Sequence, residues 1–135
     1  GADGRGIAGL SEGGFGAANL GLKNRAEFGV IGSFSGYFKM FPEDAKQLDS
    51  NDTRMLIQEN SPALYLPNLR GKMPAFYLFV GEQDKDFLES EKQFAGQLSS
   101  LHVTHEFHTY PGKHAWSLWE KHLSGFFIFA SAHLE

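Results

Sequence analysis

The chain has 135 residues, 41% hydrophobic and 21% charged, a composition that excludes intrinsic disorder, a collagen repeat and a coiled coil. Its 16 acidic and 12 basic residues give a net charge of -4, which argues against nucleic acid as a partner. The chain also lacks the polybasic run of a membrane-surface binder. With no cysteine, a disulfide framework, a thiolate zinc site and a cysteine nucleophile are all excluded. The longest apolar runs, Ala75–Val80 and Phe126–Ala130, fall far below the roughly 20 residues of a membrane helix. The opening Gly1-Ala2-Asp3-Gly4 has no basic-then-apolar leader and reads as a processing boundary.

Arg5–Leu10 is short and apolar and runs into a glycine-rich turn, which predicts a buried strand. Gly13–Lys23 sets Phe15, Ala18 and Leu22 along one side at helical spacing, with Ala17 and Leu20 beside them; this predicts a closely packed helix. Phe28–Phe34 predicts a second strand. Ser35–Met73 is irregular, with a short helix expected at Pro42–Leu48, a clearer one at Asp52–Glu59, and breakers at Ser61-Pro62 and Leu66-Pro67. Pro74–Val80 is apolar on both alternations, as a central parallel strand is. Asp86–Leu101 predicts an amphipathic helix with Phe87, Leu88, Phe94, Leu98 and Leu101 inward, and Asp86 as its N-cap. Thr104–Tyr110 is the last strand, and His114–Ala132 the closing helix.

This alternation predicts an α/β protein with about four parallel strands and flanking helices, residues 1–135 forming one unit. In such sheets the working loops lie at the carboxyl ends of the strands. Three polar clusters fall there: Ser11, the loop around Asp84, and His114.

Gly9-Leu10-Ser11-Glu12-Gly13 fits the G-x-S-x-G elbow, in which a sharp strand-to-helix turn exposes the serine hydroxyl. The helix start aims amides and its positive dipole end at that spot, so the Glu12 amide is the candidate oxyanion donor. A serine hydroxyl needs a neighbouring imidazole to take its proton. His114, in a loop after the last strand, is the candidate base. His102, His105 and His108 recur every third residue. Positions 105 and 108 face opposite sides of a strand, so the three do not converge on a metal. His122 and His133 are expected on the surface of the last helix. For the acid that orients the base, Asp84 is preferred over Asp86 and Glu82. No metal or other cofactor is expected. The chain order Ser11, Asp84, His114 is that of the α/β-hydrolases.

At this point the sequence resembles the putative-esterase (esterase D-like) family of α/β-hydrolases. The resemblance rests on Arg5-Gly-Ile-Ala-Gly-Leu-Ser-Glu-Gly-Gly-Phe-Gly16, Phe28-Gly-Val-Ile-Gly-Ser-Phe-Ser-Gly36, Ser61-Pro62, Gly81-Glu-Gln-Asp84, and Tyr110-Pro-Gly-Lys-His114 followed by Trp116 and Trp119. It implies a serine carboxylesterase with Ser11 as nucleophile, Asp84 as acid and His114 as base, acting through an acyl-enzyme on a small-molecule or carbohydrate-linked ester. Phe34, Tyr37, Phe38 and Trp116 are candidate pocket walls. The family pattern departs at Glu12, Lys113 and Ala115.

The resemblance also implies strands before the nucleophile block that this sequence lacks, including the loop that supplies a second oxyanion amide. The expectation is therefore a partial α/β-hydrolase fold, the carboxyl-terminal portion of a larger domain. It should have an open strand edge that self-associates or pairs with the amino-terminal half. Two alternatives remain: a catalytically incompetent fragment, and a non-catalytic binding module of the same fold.

Overall fold

A computed structural model describes residues 2–45 and 49–134. Four strands, β1 (Gly6–Leu10), β2 (Val30–Phe34), β3 (Ala75–Gly81) and β4 (His105–Tyr110), form one sheet in the order β1-β2-β3-β4. All three pairings are parallel, with Gly9 opposite Ser33 and Ser33 opposite Leu78. This is the partial α/β-hydrolase fold that the sequence predicts.

Strand alternation divides the apolar residues between two faces. Ile31, Phe76 and Leu78 point to the face covered by α1 (Glu12–Lys23) and α4 (Lys85–Ser100), where they meet Ala18, Leu22, Phe94 and Leu98. Val30, Phe34, Tyr77 and Phe79 point to the other face, covered by α5 (Trp116–His133) through Leu118, Trp119, Phe126 and Phe129. All seven residues of β3 are buried. Phe76, Leu78, Phe79 and Val80 are fully enclosed, and each contributes about 1.5–3 kcal/mol by leaving water. The third phenylalanine in that register, Phe34, stacks on Phe79 at 4.5 Å.

The irregular middle holds more structure than its breakers suggest. Pro42–Ala45 is a 3-10 turn, and the remainder of the helix expected at Pro42–Leu48 lies outside the described residues. Helix α2 (Ser50–Asn60) is capped by Asp49, whose carboxylate accepts the Asp52 N–H at 2.9 Å. Pro62 opens α3 (Pro62–Tyr65) and Pro67 sits in the 3-10 turn Leu66–Asn68. Both prolines therefore start helical turns, where a missing N–H costs nothing.

Three packing expectations are corrected. Leu20 is 54% exposed and Leu101 41%; Leu101 follows the last turn of α4 rather than extending its inner face. Asp84, not Asp86, holds the N-cap position of α4, and its side chain makes no capping bond. His122 is half-buried, with its ring stacked on Tyr110 at 3.5 Å and 4°. Burial pushes its pKa below the ordinary histidine value, with Lys121 acting in the same direction.

The edge of the sheet at β1 is open. None of its five residues is fully buried, and beside it α5 shows Phe127 at 58% and Trp116 at 66% exposure.

Candidate active site

Ser11 joins β1 to α1 with φ 56° and ψ −124°, backbone angles that cost a side-chain-bearing residue about 1–3 kcal/mol. The surrounding structure holds it there. Its N–H donates to the Phe34 carbonyl at 2.8 Å, and its own carbonyl accepts from Gly14 and Phe15 at 2.9 and 3.3 Å. A Cβ at Gly9 would overlap the Gly13 carbonyl, so glycine is what lets strand and helix close this tightly. The Glu12 amide belongs to the first turn of α1, whose N–H groups no intrahelical carbonyl satisfies. The Glu12 side chain is exposed to solvent.

Asp84 ends the turn after β3. Its N–H donates to Gly81 at 3.1 Å and its carbonyl accepts from Leu88 at 2.7 Å. The carboxylate, 7% exposed, is left free of capping and meets His114 Nδ1 with Oδ2 at 2.6 Å. A carboxylate only accepts, so Nδ1 carries the hydrogen and Nε2 presents a lone pair. Ser11 Oγ stands 2.8 Å from that Nε2. Of the three carboxylates weighed from sequence, only Asp84 reaches the imidazole; Glu82 and Asp86 are exposed.

Two features missed by the sequence reading steady His114. Gln83 laces the acid loop to the histidine loop: its N–H donates to Gly112 at 2.9 Å and its Oε1 accepts the Gly112 N–H at 2.5 Å. With the Glu82 N–H donating to the Tyr110 carbonyl at 2.8 Å, three hydrogen bonds tie the two loops together. The imidazole is also sandwiched, with Phe87 stacked on it at 4.5 Å and Trp119 edge-on at 5.1 Å. The Trp119 indole N–H donates to Ser35 Oγ at 2.9 Å. Sequence periodicity places Phe87 only on the inner face of α4; no sequence signal distinguishes a ring that backs a histidine from one that fills a core.

The four expected pocket walls fall into two cavities. Tyr37 and Phe38, with Phe41, Phe87, Phe94 and Lys39, line a cavity of about 650 Å³ that adjoins the imidazole through Phe87. Phe34 and Trp116, with Leu10, Trp119 and Leu123, line another of about 210 Å³. The remaining histidines make local contacts. His105 bonds the Val103 carbonyl at 2.8 Å and Ser99 Oγ at 3.2 Å, whereas His108 bonds Glu106 at 2.9 Å and lies against Tyr77.

A parallel sheet, a strained serine at a strand-to-helix elbow, and an aspartate and a histidine just beyond the ends of β3 and β4 define a portion of an α/β-hydrolase. The chain belongs to the esterase family described as "Putative esterase", whose model matches residues 1–130. Solved structures with the same fold include an S-formylglutathione hydrolase from Staphylococcus aureus, 23% identical with a TM-score of 0.76, aligned over 96% of this chain and 51% of that one. A fluorophosphonate-binding serine hydrolase of the same organism aligns at 22% identity and TM-score 0.76, over 96% of this chain and 55% of its own. A ferulic acid esterase aligns at 27% identity and TM-score 0.75, over 97% and 52%. The chain thus spans about half the length of these structures. No curated protein matches the sequence.

Proposed function

We propose that the chain carries the catalytic machinery of a serine carboxylesterase. The observation that carries this reading is the unbroken hydrogen-bond line from Ser11 Oγ to His114 Nε2 and from His114 Nδ1 to Asp84. In this scheme His114 takes the hydroxyl proton as Ser11 Oγ attacks the ester carbonyl. The Glu12 amide and the positive end of α1 receive the oxyanion. The imidazolium, held by Asp84, then protonates the departing alcohol, leaving an acyl-Ser11 ester. Water, deprotonated by His114, hydrolyses that ester and restores the hydroxyl. The substrate is a small-molecule or carbohydrate-linked ester, with its acyl or alcohol part in the cavity walled by Tyr37, Phe38 and Phe87.

The experiment is labelling of the chain with a fluorophosphonate, alongside hydrolysis of p-nitrophenyl acetate. Ser11 should label and Ser11→Ala should neither label nor hydrolyse. Equal rates for the two proteins would overturn the reading for this chain.

The half-length match to solved structures favours a second reading, an assembled but slow site. A neighbouring segment would normally add a second oxyanion amide, and losing one such donor costs on the order of 100-fold or more in turnover. Labelling of Ser11 without measurable turnover is the signature of that case. The open β1 edge and the exposed rings of α5 favour a covering partner on that flank, either a second copy of the chain or the amino-terminal half of the domain.

A further inference from the structure

Glu91 lies on the inner stripe of α4 with 0% exposure, and the scheme above does not use it. Its Oε1 accepts the Gly36 N–H at 3.0 Å, while the preceding residue donates Ser90 Oγ–H to the Gly36 carbonyl at 3.2 Å. Two consecutive side chains thus grip both sides of one residue. The segment they grip is the one that frames the site. Ser35, at φ 49°, receives the Trp119 indole that packs on His114, and Tyr37 walls the large cavity and stacks on Phe15 at 4.9 Å. Below it Ser33 Oγ faces Gly36 and Gly14 so closely that a Cβ would come within 2.5 Å at the first and 2.7 Å at the second. Among the described residues Ser33 Oγ and Glu91 Oε2 are the buried side-chain atoms with no hydrogen-bond partner.

We propose that Glu91 is a positioning residue for the hydrolytic site, fastening the Ser35–Tyr37 segment against the nucleophile elbow and doing so as the uncharged carboxylic acid. The proposal rests on the serine-esterase reading for its consequence in catalysis, but not for its structural part. The charge state follows from the surroundings. An ionised carboxylate this deep needs a cation or several donors. Among the described residues no lysine, arginine or histidine pairs with it. What faces it is the Gly36 amide, one donor, from the β2 side, and the Asp84 carboxylate across the turn before α4. Burial is the leading cause and raises the Glu91 pKa well above the ordinary glutamate value; the Gly36 bond comes second and pulls the other way, and the Asp84 charge adds a smaller upward push. A second negative charge there would also repel the Asp84 carboxylate, so the uncharged acid leaves the Asp84–His114 pair undisturbed.

The sign of the pH effect follows. Above the ordinary glutamate pKa the unfolded chain has released this proton while the folded chain keeps it. Stability therefore falls as pH rises through that window, tenfold in the folding equilibrium per pH unit. Glu91→Gln keeps the acceptor for Gly36 and cannot ionise. Thermal midpoints of the wild type and Glu91→Gln should converge near pH 5 and separate by roughly 5 °C or more by pH 8, with the glutamine variant higher. Parallel midpoints across that range would overturn the proposal. Should Glu91→Gln fail to fold, carbon-13 NMR of glutamate-labelled wild type decides instead: one carboxyl must stay protonated well above the others, and uniform titration overturns the proposal. In fluorophosphonate labelling, Glu91→Gln should match the wild type at pH 7 and retain its rate at alkaline pH where the wild type falls. Glu91→Ala should label at least tenfold more slowly at every pH. If wild-type Ser11 does not label at all, the esterase reading fails for this chain while the thermal and NMR measurements still decide the role of Glu91.

Discussion

Replacing Asp84 by Asn tests the candidate triad at its least exposed member. The asparagine is isosteric and keeps a polar atom 7% exposed to solvent, so the fold should survive. What changes is the hydrogen on His114. Asp84 Oδ2, 2.6 Å from Nδ1, obliges Nδ1 to donate and leaves the Nε2 lone pair facing Ser11 at 2.8 Å. An amide NH2 turned to the same spot donates instead and favours the opposite tautomer, with Nε2–H aimed at the hydroxyl it should deprotonate. Loss of the imidazolium's counter-charge adds to this. In the serine-protease template the same change lowers turnover about 10⁴-fold, or roughly 5.4 kcal/mol of barrier. We expect a fall of 10³- to 10⁴-fold in p-nitrophenyl acetate turnover or in fluorophosphonate labelling rate. Glu82→Gln and Asp86→Asn, both at exposed positions, should stay within threefold of wild type. An Asp84→Asn variant within tenfold of wild type, or a larger loss in either control, would refute the assignment of Asp84 as the acid.

Ser11→Gly and Ser11→Ala both remove the hydroxyl and should both be inactive. The glycine variant alone also relieves the backbone at φ 56° and ψ −124°, and after its added unfolded-state entropy it should be about 1 kcal/mol more stable than the alanine variant in urea denaturation. Gln83→Ala removes the 2.5 Å bond to the Gly112 amide, loosening the loop that carries His114. Turnover should fall about tenfold with the Michaelis constant little changed, because a slightly misplaced base costs rate rather than binding. Phe127→Lys places a charge on the exposed flank beside β1. Wild type should sediment as a concentration-dependent dimer and the lysine variant as a monomer; a monomeric wild type at all concentrations would refute the proposed self-association.

The sheet was legible in the sequence because each strand is short, apolar and bounded by turn residues, so Ala75–Gly81 in particular leaves no helical alternative. The elbow was legible because its glycines are required by geometry, Gly9 being unable to carry a Cβ against Gly13. What the sequence hid were contacts made across the sheet ends. Gln83 looks like any polar loop residue until β3 and β4 bring Gly112 beside it. Asp86, an aspartate just inside a helix, outscored Asp84 as a cap on local grounds, although the N-cap position belongs to Asp84 and its carboxylate is taken by His114. Glu91 did leave a trace. It falls on the stripe Phe87, Glu91, Phe94, Leu98 at helical spacing, and a carboxyl group on an apolar stripe is the mark of a buried polar group with a task. His122 looks like a surface residue until α5 turns back against β4, where Tyr110 stacks on its ring.

The site draws its residues from parts of the sheet that are held with very different firmness. Asp84 follows β3, buried at every residue, and His114 is laced to the Asp84 loop through Gln83 and backed by Phe87 and Trp119. Ser11 follows β1, a five-residue strand paired on one side only. Apart from α1, what fixes Ser11 is the ladder to β2, above all its own N–H on the Phe34 carbonyl. Local opening begins where backbone bonds are few and exposed, so β1 should loosen before β3 does. The Ser11–His114 bond would then break with the core intact. Glu91 and Ser90 act on this weak side: by gripping Gly36 they steady the turn just beyond β2, on which the β1 elbow rests. A partner strand on the free edge of β1 would act from the opposite side. Were a second copy to supply that strand, self-association and the proposed catalysis would be coupled through β1, with tighter pairing holding the serine in line for more of the time.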